Sequence, residues 1–422
     1  MLEKILRTIE KITPRFLYRF FQPFYHYSLS LIGALLYRFP SRELTVIGIT
    51  GTKGKTTTSE LLHHTLTKAG IKAVLVSTVQ FKIGNESKRN LFKMTTPGRF
   101  FLQKLLRDAL KAGCTHAVIE ISSEAVLQYR HRFLSLDAFI FTNLSPEHIE
   151  RHGSYEKYRA AKIEIAKRCA QGGKLKRIFI GNGEDQETPL FSNLPYSEKH
   201  TYSLKEAKPY EVGLLGGFFT WDATRVTTTL PGEFNIENAL AALTLGKALG
   251  IPKEKLVEGI ETFTGALGRV QRIEAGQNFS VIVDYAHTVD SLKKLYEAYS
   301  GTRRICVLGG TGGGRDKTKR KDMGAIASRY CDQIILTNED PYDEDPLSII
   351  ADVKRGITNQ KTEIILDRKE AIEKAISYGT TGASVLVTGK GSDPYLMEAN
   401  NKRTPWSDAE IAREALTELL RK

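Results

Sequence analysis

The chain has 422 residues, 41% hydrophobic and 26% charged, the make-up of a folded protein with two or three domain cores, which excludes a disordered or fibrous chain. Its net charge of +13 suits polyanionic ligands such as nucleotides or phospholipids; no nucleic-acid recognition motif accompanies the charge, so nucleic acid is not an expected partner. Cys114, Cys169, Cys306 and Cys331 are scattered with no CxxC pair, which speaks against a zinc site or a disulfide framework and fits a reducing cytoplasm.

The chain opens on residues 1–42, with seven basic and two acidic side chains. Nine aromatics fall within residues 16–39, and residues 20–37 contain no Lys, Arg, Asp or Glu, with Arg15, Arg19, Arg38 and Arg42 flanking them. Pro23, Gln22, His26, Ser28 and Ser30 make this a poor spanning helix. It reads either as an interfacial anchor at the inner face of the plasma membrane or as an amphipathic helix packed on the body of the protein.

Next comes Val46-Ile-Gly-Ile-Thr-Gly-Thr-Lys-Gly-Lys-Thr-Thr-Thr58. An apolar run gives a buried strand, Gly51 and Gly54 permit a turn whose N–H groups face phosphate oxygens, and a helical pattern follows over 59–69. Lys55 suits the β/γ-phosphates and Thr56 a Mg2+ ion; Thr52, Lys53 and Thr57 complete the loop. The Walker spacing asks for Gly at position 49, where this chain has Ile, so the motif is the shorter Gly-Thr-x-Gly-Lys-Thr-Thr.

Strands and helices then alternate, which predicts parallel sheets with helices on both faces. Strands are expected at 44–50, 73–77, 116–121, 138–143 and 177–181, and helices at 99–112, 155–169 and 235–249. A Gly-punctuated segment, Gly265-Ala-Leu-Gly-Arg269, precedes a second series with strands at 280–284, 304–308, 333–337, 363–366 and 384–388. The expected domains are 1–42, a central P-loop ATPase domain over 43–269, and a C-terminal Rossmann-like α/β domain over 270–422. A ligand cleft is expected between the last two.

Four clusters add chemistry. Glu120 ends an apolar strand where a Mg2+ ligand belongs. His148, in the loop after the next strand, suits a metal or phosphate. Lys162 follows on a helix, where a surface position is the default. Asp284 and His287 end another strand, suited to a ribose hydroxyl and a base edge.

These motifs resemble the Mur ligase family. The resemblance rests on Gly51-Thr-Lys-Gly-Lys-Thr-Thr57, Thr95-Thr-Pro97, Glu120-Ile-Ser-Ser123, Thr142-Asn-Leu-Ser145, Tyr158-Arg-Ala-Ala-Lys162, Asn235-Ile-Glu-Asn238 and Asp284-Tyr-Ala-His287, in order over residues 44–422. It is nearest the branch that adds the third peptide residue to a muramoyl-dipeptide in peptidoglycan precursor synthesis. The resemblance implies a carboxylate activated by ATP to an acyl phosphate, then attacked by an amino group. It implies that Lys55 holds the transferring phosphate, that Thr56, Glu120, His148 and Lys162 form the Mg2+ sites, and that Lys162 is carbamylated. Asn238 is implied for adenine, Asp284 for ribose and Arg269 for the phosphates; Thr95, Thr96, Ser122, Gln128 and Arg130 match acceptor-binding positions. Such a site is sensible physically, because phosphoryl transfer needs positioning and charge neutralisation more than covalent help.

Two departures stand out. The family's UDP-binding N-terminal domain needs on the order of a hundred residues, and only residues 1–42 precede this P-loop, so the usual UDP site is expected to be missing. The Asp-Asn-Pro-Arg motif that selects diaminopimelate reads Glu339-Asp-Pro-Tyr342, and Gly-Lys-Gly-His-Glu reads Gly389-Lys-Gly-Ser-Asp393. Arg315 remains for the incoming α-carboxylate. Glu339, Asp340 and Asp393 suit a distal amine, with Tyr342 and Gly389 completing that site. The alternatives are another acceptor (lipid-linked muropeptide, folylpolyglutamate-like or cyanophycin-like) or an amidotransferase-partner homologue; the missing four-cysteine insert weakens the last.

Overall fold

The computed structural model describes residues 15–147, 149–358 and 361–421. They form two compact units, one taking the chain up to Tyr202 together with Ala241–Lys253, the other Ser203–Leu240 with Glu254 onward.

In the first unit, helix α1 (Arg15–Leu36) leads into β1 (Thr45–Thr50), helix α2 (Lys55–Lys68) and β2 (Ala73–Val76). A hairpin of β3 (Gln80–Ile83) and β4 (Glu86–Arg89), helix α3 (Arg99–Lys111) and β5 (His116–Glu120) follow. The unit closes with β6 (Ala138–Phe141), β7 (Ile178–Asn182) and β8 (Glu198–Tyr202). The sheet order is β4-β3-β2-β5-β1-β6-β7-β8, parallel except for the antiparallel β2–β3 and β3–β4 pairs. Central strands read as continuous apolar runs because both faces are covered. Val46, Ile47 and Ile49 are wholly buried, and stacked rings fill the far side, with Phe141 and Phe191 centroids 4.0 Å apart. Strand β1 lies between β5 and β6; the winding reverses there, and α/β sheets open a ligand crevice at such a point.

The two faces of α1 differ. Ala34 is fully buried, and Gly33 lies so near the start of α3 that a Cβ there would be 3.6 Å from the Arg99 carbonyl. Ser30 Oγ donates to the Tyr129 carbonyl at 2.8 Å. On the opposite side Phe21, Phe24, Ile32, Leu35 and Leu36 are 58%, 64%, 51%, 56% and 64% exposed. The helix thus both packs on the body and keeps an apolar outer face. Among the described residues no helix is long and apolar enough to cross a membrane.

The second unit carries a small antiparallel sheet of β9 (Glu211–Gly213), β10 (Gly216–Trp221) and β11 (Thr224–Thr228). Its main sheet holds β12 (Gln271–Arg272), β13 (Ser280–Asp284), β14 (Arg304–Leu308), β15 (Gln333–Leu336), β16 (Thr362–Ile364) and β17 (Ser384–Thr388). The order is β12-β13-β17-β14-β15-β16, parallel apart from β12. One expectation from sequence is corrected here. Cys306 and Cys331 form a disulfide; β14 and β15 are neighbours, so the fold joins two cysteines that sequence spacing leaves apart. Cys114 and Cys169 are free thiols and buried.

A pH dependence follows from His63. Burial is the larger cause holding its imidazole down at about 4, with Lys82 next, and its Nε2 lies 3.2 Å from the Ala73 carbonyl. The unfolded chain takes a proton near the usual 6.5 while the folded chain does not. Stability is therefore complete above about pH 6.5 and falls as the pH drops toward 4, by on the order of 3 kcal/mol from this residue. Denaturant titration at pH 7 and pH 5 should show the loss. A His63→Gln variant should show a shallower one, and an equal slope in both proteins would refute the assignment.

Candidate active site

The loop after β1 is shaped by two glycines. Gly54 caps α2 with φ 83°, a left-handed conformation that suits glycine. At Gly51 a Cβ would come within 1.9 Å of Thr142 Oγ1, so only glycine lets the loops after β1 and β6 close together. Thr142 Oγ1 donates to the Lys53 carbonyl at 2.7 Å, and the Lys53 amide donates to Asn143 Oδ1 at 2.8 Å. Lys55 Nζ donates to the Gly51 and Thr52 carbonyls at 2.9 and 3.0 Å, which holds its charge over the loop at the N-terminus of α2. Loop, lysine and helix end together make a cradle for phosphate oxygens.

Glu120 ends β5 opposite Ile49 of β1 and is completely buried. Its carboxylate accepts from Thr56 Oγ1 (3.3 Å), Ser59 Oγ (3.1 Å), Thr78 Oγ1 (2.8 Å) and the Thr78 amide (3.2 Å). A hydroxyl and a carboxylate this close are the hard oxygen donors that Mg2+ takes beside phosphate oxygens. Among the described residues no three His, Cys, Asp or Glu side chains form a metal cage; Thr56 and Glu120 are the oxygen pair that would meet a Mg2+ beside the phosphate cradle.

The acceptor candidates reach the same residue. Thr95 Oγ1 is 3.0 Å from Thr78 Oγ1. Thr96 Oγ1 donates to the Glu120 carbonyl at 3.0 Å and accepts from the Ser122 amide at 3.1 Å. Arg130 Nη1 donates to the Thr96 carbonyl at 2.8 Å and Nη2 donates to Gln128 Oε1. Thr95, Thr96, Ser122, Gln128, Arg130, Glu120 and Thr56 are therefore one hydrogen-bonded system. Ser59 and Thr78 belong to it and escaped sequence reasoning, since an isolated hydroxyl residue carries no spacing signal.

Lys162 is not on the surface. It lies on helix α4 (Tyr155–Ala170) and is 1% exposed, with Nζ 2.6 Å from the Gly51 carbonyl and 4.8 Å from the centre of the Tyr158 ring. Burial, then the nearby Lys55 charge, pull its ammonium well below the ordinary lysine range, which favours the neutral amine relative to an exposed lysine. Tyr158 OH lies 3.0 Å from Thr52 Oγ1. His152, also buried, has Nε2 3.0 Å from Ser123 Oγ and its ring 5.3 Å from that of Tyr158; burial, then Lys162, lower its pKa. His148, expected as a metal ligand, lies outside the described residues.

In the second unit most candidates follow the carboxyl ends of β13, β14, β15 and β17, while Asn238 lies on helix α5 (Glu233–Ala248) and Arg269 precedes β12. Asp284, at the end of β13, accepts from the Val270 and Ala286 amides, both at 2.7 Å. His287 Nδ1 is 2.7 Å from the Tyr285 carbonyl, and Asn238 Nδ2 donates to Asn235 Oδ1 at 3.2 Å. The Arg269 guanidinium lies 4.3 Å over the Tyr285 ring. Neither Arg269 nor Arg315 makes an ion pair among the described residues. Lys390, 1% exposed, donates to Asp340 (2.7 Å) and Asp393 (3.0 Å), so a resident cation already offsets two of the carboxylates read as an amine site. Glu339 accepts from Thr311 Oγ1 at 2.8 Å, while its Oε2 is buried without a hydrogen-bond partner; burial raises its pKa. That oxygen would meet a Cβ at Gly389 at 2.3 Å. Tyr342 takes a left-handed φ of 52°, its amide bonded to the Met397 carbonyl at 3.1 Å.

A glycine-bounded phosphate cradle, two lysines and an oxygen cluster at the switch point of a parallel sheet define a nucleotide-dependent phosphoryl-transfer enzyme. Residues 49–246 match the Mur ligase middle domain and residues 268–391 the Mur ligase glutamate ligase domain. The UDP-N-acetylmuramyl-tripeptide synthetase of Roseiflexus sp. (strain RS-1) is 36% identical over 419 residues, covering 93% of this chain and 82% of that protein. The UDP-N-acetylmuramoyl-L-alanyl-D-glutamate--2,6-diaminopimelate ligase of Thermosynechococcus vestitus is 35% identical over 406 residues, covering 92% and 80%. A solved structure of a ligase with that same name is 29% identical, with a TM-score of 0.63, covering 90% of this chain and 79% of its own. A Mycobacterium tuberculosis folylpolyglutamate synthase is 12% identical with a TM-score of 0.70, a likeness of fold alone. The chain belongs to the Mur ligase family, ATP-dependent ligases of peptidoglycan synthesis that use Mg2+.

Proposed function

We propose that the chain joins an amino acid to a muramoyl-dipeptide, making its third peptide residue, through an acyl phosphate. The observation that carries this reading is the shared Glu120, whose side chain binds the P-loop hydroxyl of Thr56 and whose main chain binds the acceptor-loop Thr96. An acceptor carboxylate held there lies beside the phosphate cradle. Its oxygen attacks the terminal phosphorus while the bond to ADP breaks; the amino nitrogen then attacks the acyl carbon, loses a proton, and phosphate departs. Lys55 neutralises charge developing on the phosphate oxygens, and Thr56 and Glu120 would hold Mg2+, with His148 and Lys162 assigned to the metal as well. Asn238 and His287 are assigned to the adenine, Asp284 to the ribose, Arg269 to phosphate and Arg315 to the incoming α-carboxylate.

Lys162 is carbamylated in this reading. A neutral amine attacks CO2, an N–C bond forms and one proton leaves to solvent, and the product is an anion suited to Mg2+. The burial of Lys162 favours the neutral amine this needs. Residues 1–42 give the protein peripheral contact with the inner face of the plasma membrane through the exposed side of α1.

The amino acid added has a distal amine without a distal carboxylate. Position 342 is Tyr, so diaminopimelate loses a charge-assisted hydrogen bond of about 1.5–3 kcal/mol, roughly tenfold to a hundredfold in kcat/KM. Glu339, buried and accepting from Thr311 Oγ1, is the acid assigned to that amine, whose positive charge would favour the ionised carboxylate. Phosphate release with lysine, ornithine and diaminopimelate should rank the first two ahead. A strong preference for diaminopimelate overturns the selectivity, and no phosphate release with any amino acid overturns the ligase reading.

A further inference from the structure

Helix α1 is bonded to the acceptor loop itself. Besides the bond from Ser30 to the Tyr129 carbonyl, Tyr27 packs edge-on against Tyr129 and Phe133, with centroids 6.2 and 5.5 Å away. His26 Nδ1 lies 2.5 Å from Arg99 Nη2, and the same guanidinium donates through Nε and Nη2 to the Gln128 carbonyl at 3.0 and 2.6 Å. Gln128 and Arg130 are acceptor candidates, so α1 forms one wall of that region.

Three chemistries lie in order across this wall. Outermost is the uncharged face of α1, its exposed side chains from residue 21 to residue 36 spanning about 23 Å of helix. Exposed Arg38 and Arg42 follow its C-terminal end, and Arg15 and Arg19 precede the uncharged stretch in sequence. This is the pattern of a helix lying in an anionic lipid interface. Beneath it sit Arg99 and Arg130, which make no ion pair among the described residues. Burial, then the Arg130 charge, draws Arg99 down to about 10, as expected for two cations close together. Innermost are Thr95, Thr96 and Ser122.

We infer that the acceptor is an amphiphile, a muramoyl-dipeptide joined through an anionic phosphate link to a membrane lipid, with its tail in the bilayer on which α1 lies, its link at Arg99 and Arg130, and its peptide at the inner threonines. The inference rests on the ligase reading above and names its substrate class. Arg99 is an acceptor-binding residue in it, and His26 holds that guanidinium in place. An aqueous nucleotide-linked acceptor satisfies the inner two layers and leaves the outer one without a role.

The test compares two acceptors on the full chain: the UDP-linked muramoyl-dipeptide in solution, and the same dipeptide on a polyprenyl diphosphate in vesicles containing phosphatidylglycerol. The lipid-linked acceptor should be used at least about tenfold better in kcat/KM. An Ile32→Ser/Leu35→Ser double variant changes only exposed positions, and it should reduce the lipid-to-UDP ratio by about tenfold and release the protein from vesicles. Arg99→Gln should raise KM for the lipid-linked acceptor while kcat moves less. Equal or better use of the UDP-linked acceptor, a ratio unmoved by the double variant, or self-association through α1 without vesicle binding would each overturn the inference. The ligase reading falls separately, when neither acceptor supports phosphate release.

Discussion

Lys55→Ala should release phosphate at least about a hundredfold more slowly than the parent protein while melting at nearly the same temperature. The fold tolerates the change because the Lys55 Nζ bonds to the Gly51 and Thr52 carbonyls lie within its own loop, and the strand and helix on either side are held by the sheet and core. The deficit should appear in kcat, since charge on the transferring oxygens peaks in the transition state. Nucleotide affinity also falls, so turnover must be compared at saturating ATP. A folded variant with parental phosphate release would remove the P-loop from the mechanism.

Lys162 predicts a loss of similar size by a different route. Lys162→Ala should be nearly inactive, with partial recovery on adding short-chain carboxylates that place an anion where the carbamate stood. Truncating a side chain that is 1% exposed also opens a cavity, at a cost of about 2–5 kcal/mol. Lys162→Met keeps the length and removes the nitrogen; it should fold like the parent and remain inactive. Protein equilibrated with 13C-bicarbonate should show an added carbonyl-region NMR signal that both variants lack. Normal turnover in a folded Lys162→Met protein, or no added signal in the parent, would refute carbamylation.

How legible the site was depended on how local its signal is. Strands β13, β14 and β17 fall where expected, because fully buried parallel strands are written as unbroken apolar runs such as Ser280-Val-Ile-Val-Asp284. Glu120 was placed at a strand end by the same logic. The hairpin β3–β4 and the sheet β9–β11 were not foreseen: Glu86–Arg89 is exposed throughout, and Thr224–Thr228 has Val226 as its one apolar residue, so neither has the apolar run that marks a strand. Lys162 shows the same limit at the site. Its helix announces itself, but the burial that changes its chemistry comes from Gly51 and Tyr158, far away in sequence. The disulfide pairing depended on β14 lying beside β15, a long-range fact that cysteine spacing does not record.

One feature of Glu120 reaches beyond structure. Its carboxylate answers to the nucleotide loop and its carbonyl to the acceptor loop, and a single rigid residue does both. A ligand that shifts Glu120 from one side would shift what is offered to the other. Thermodynamic reciprocity then fixes the relation between them: whatever factor bound nucleotide applies to acceptor affinity, bound acceptor returns to nucleotide affinity. With a factor above one, nucleotide is held more tightly when an acceptor carboxylate is in place.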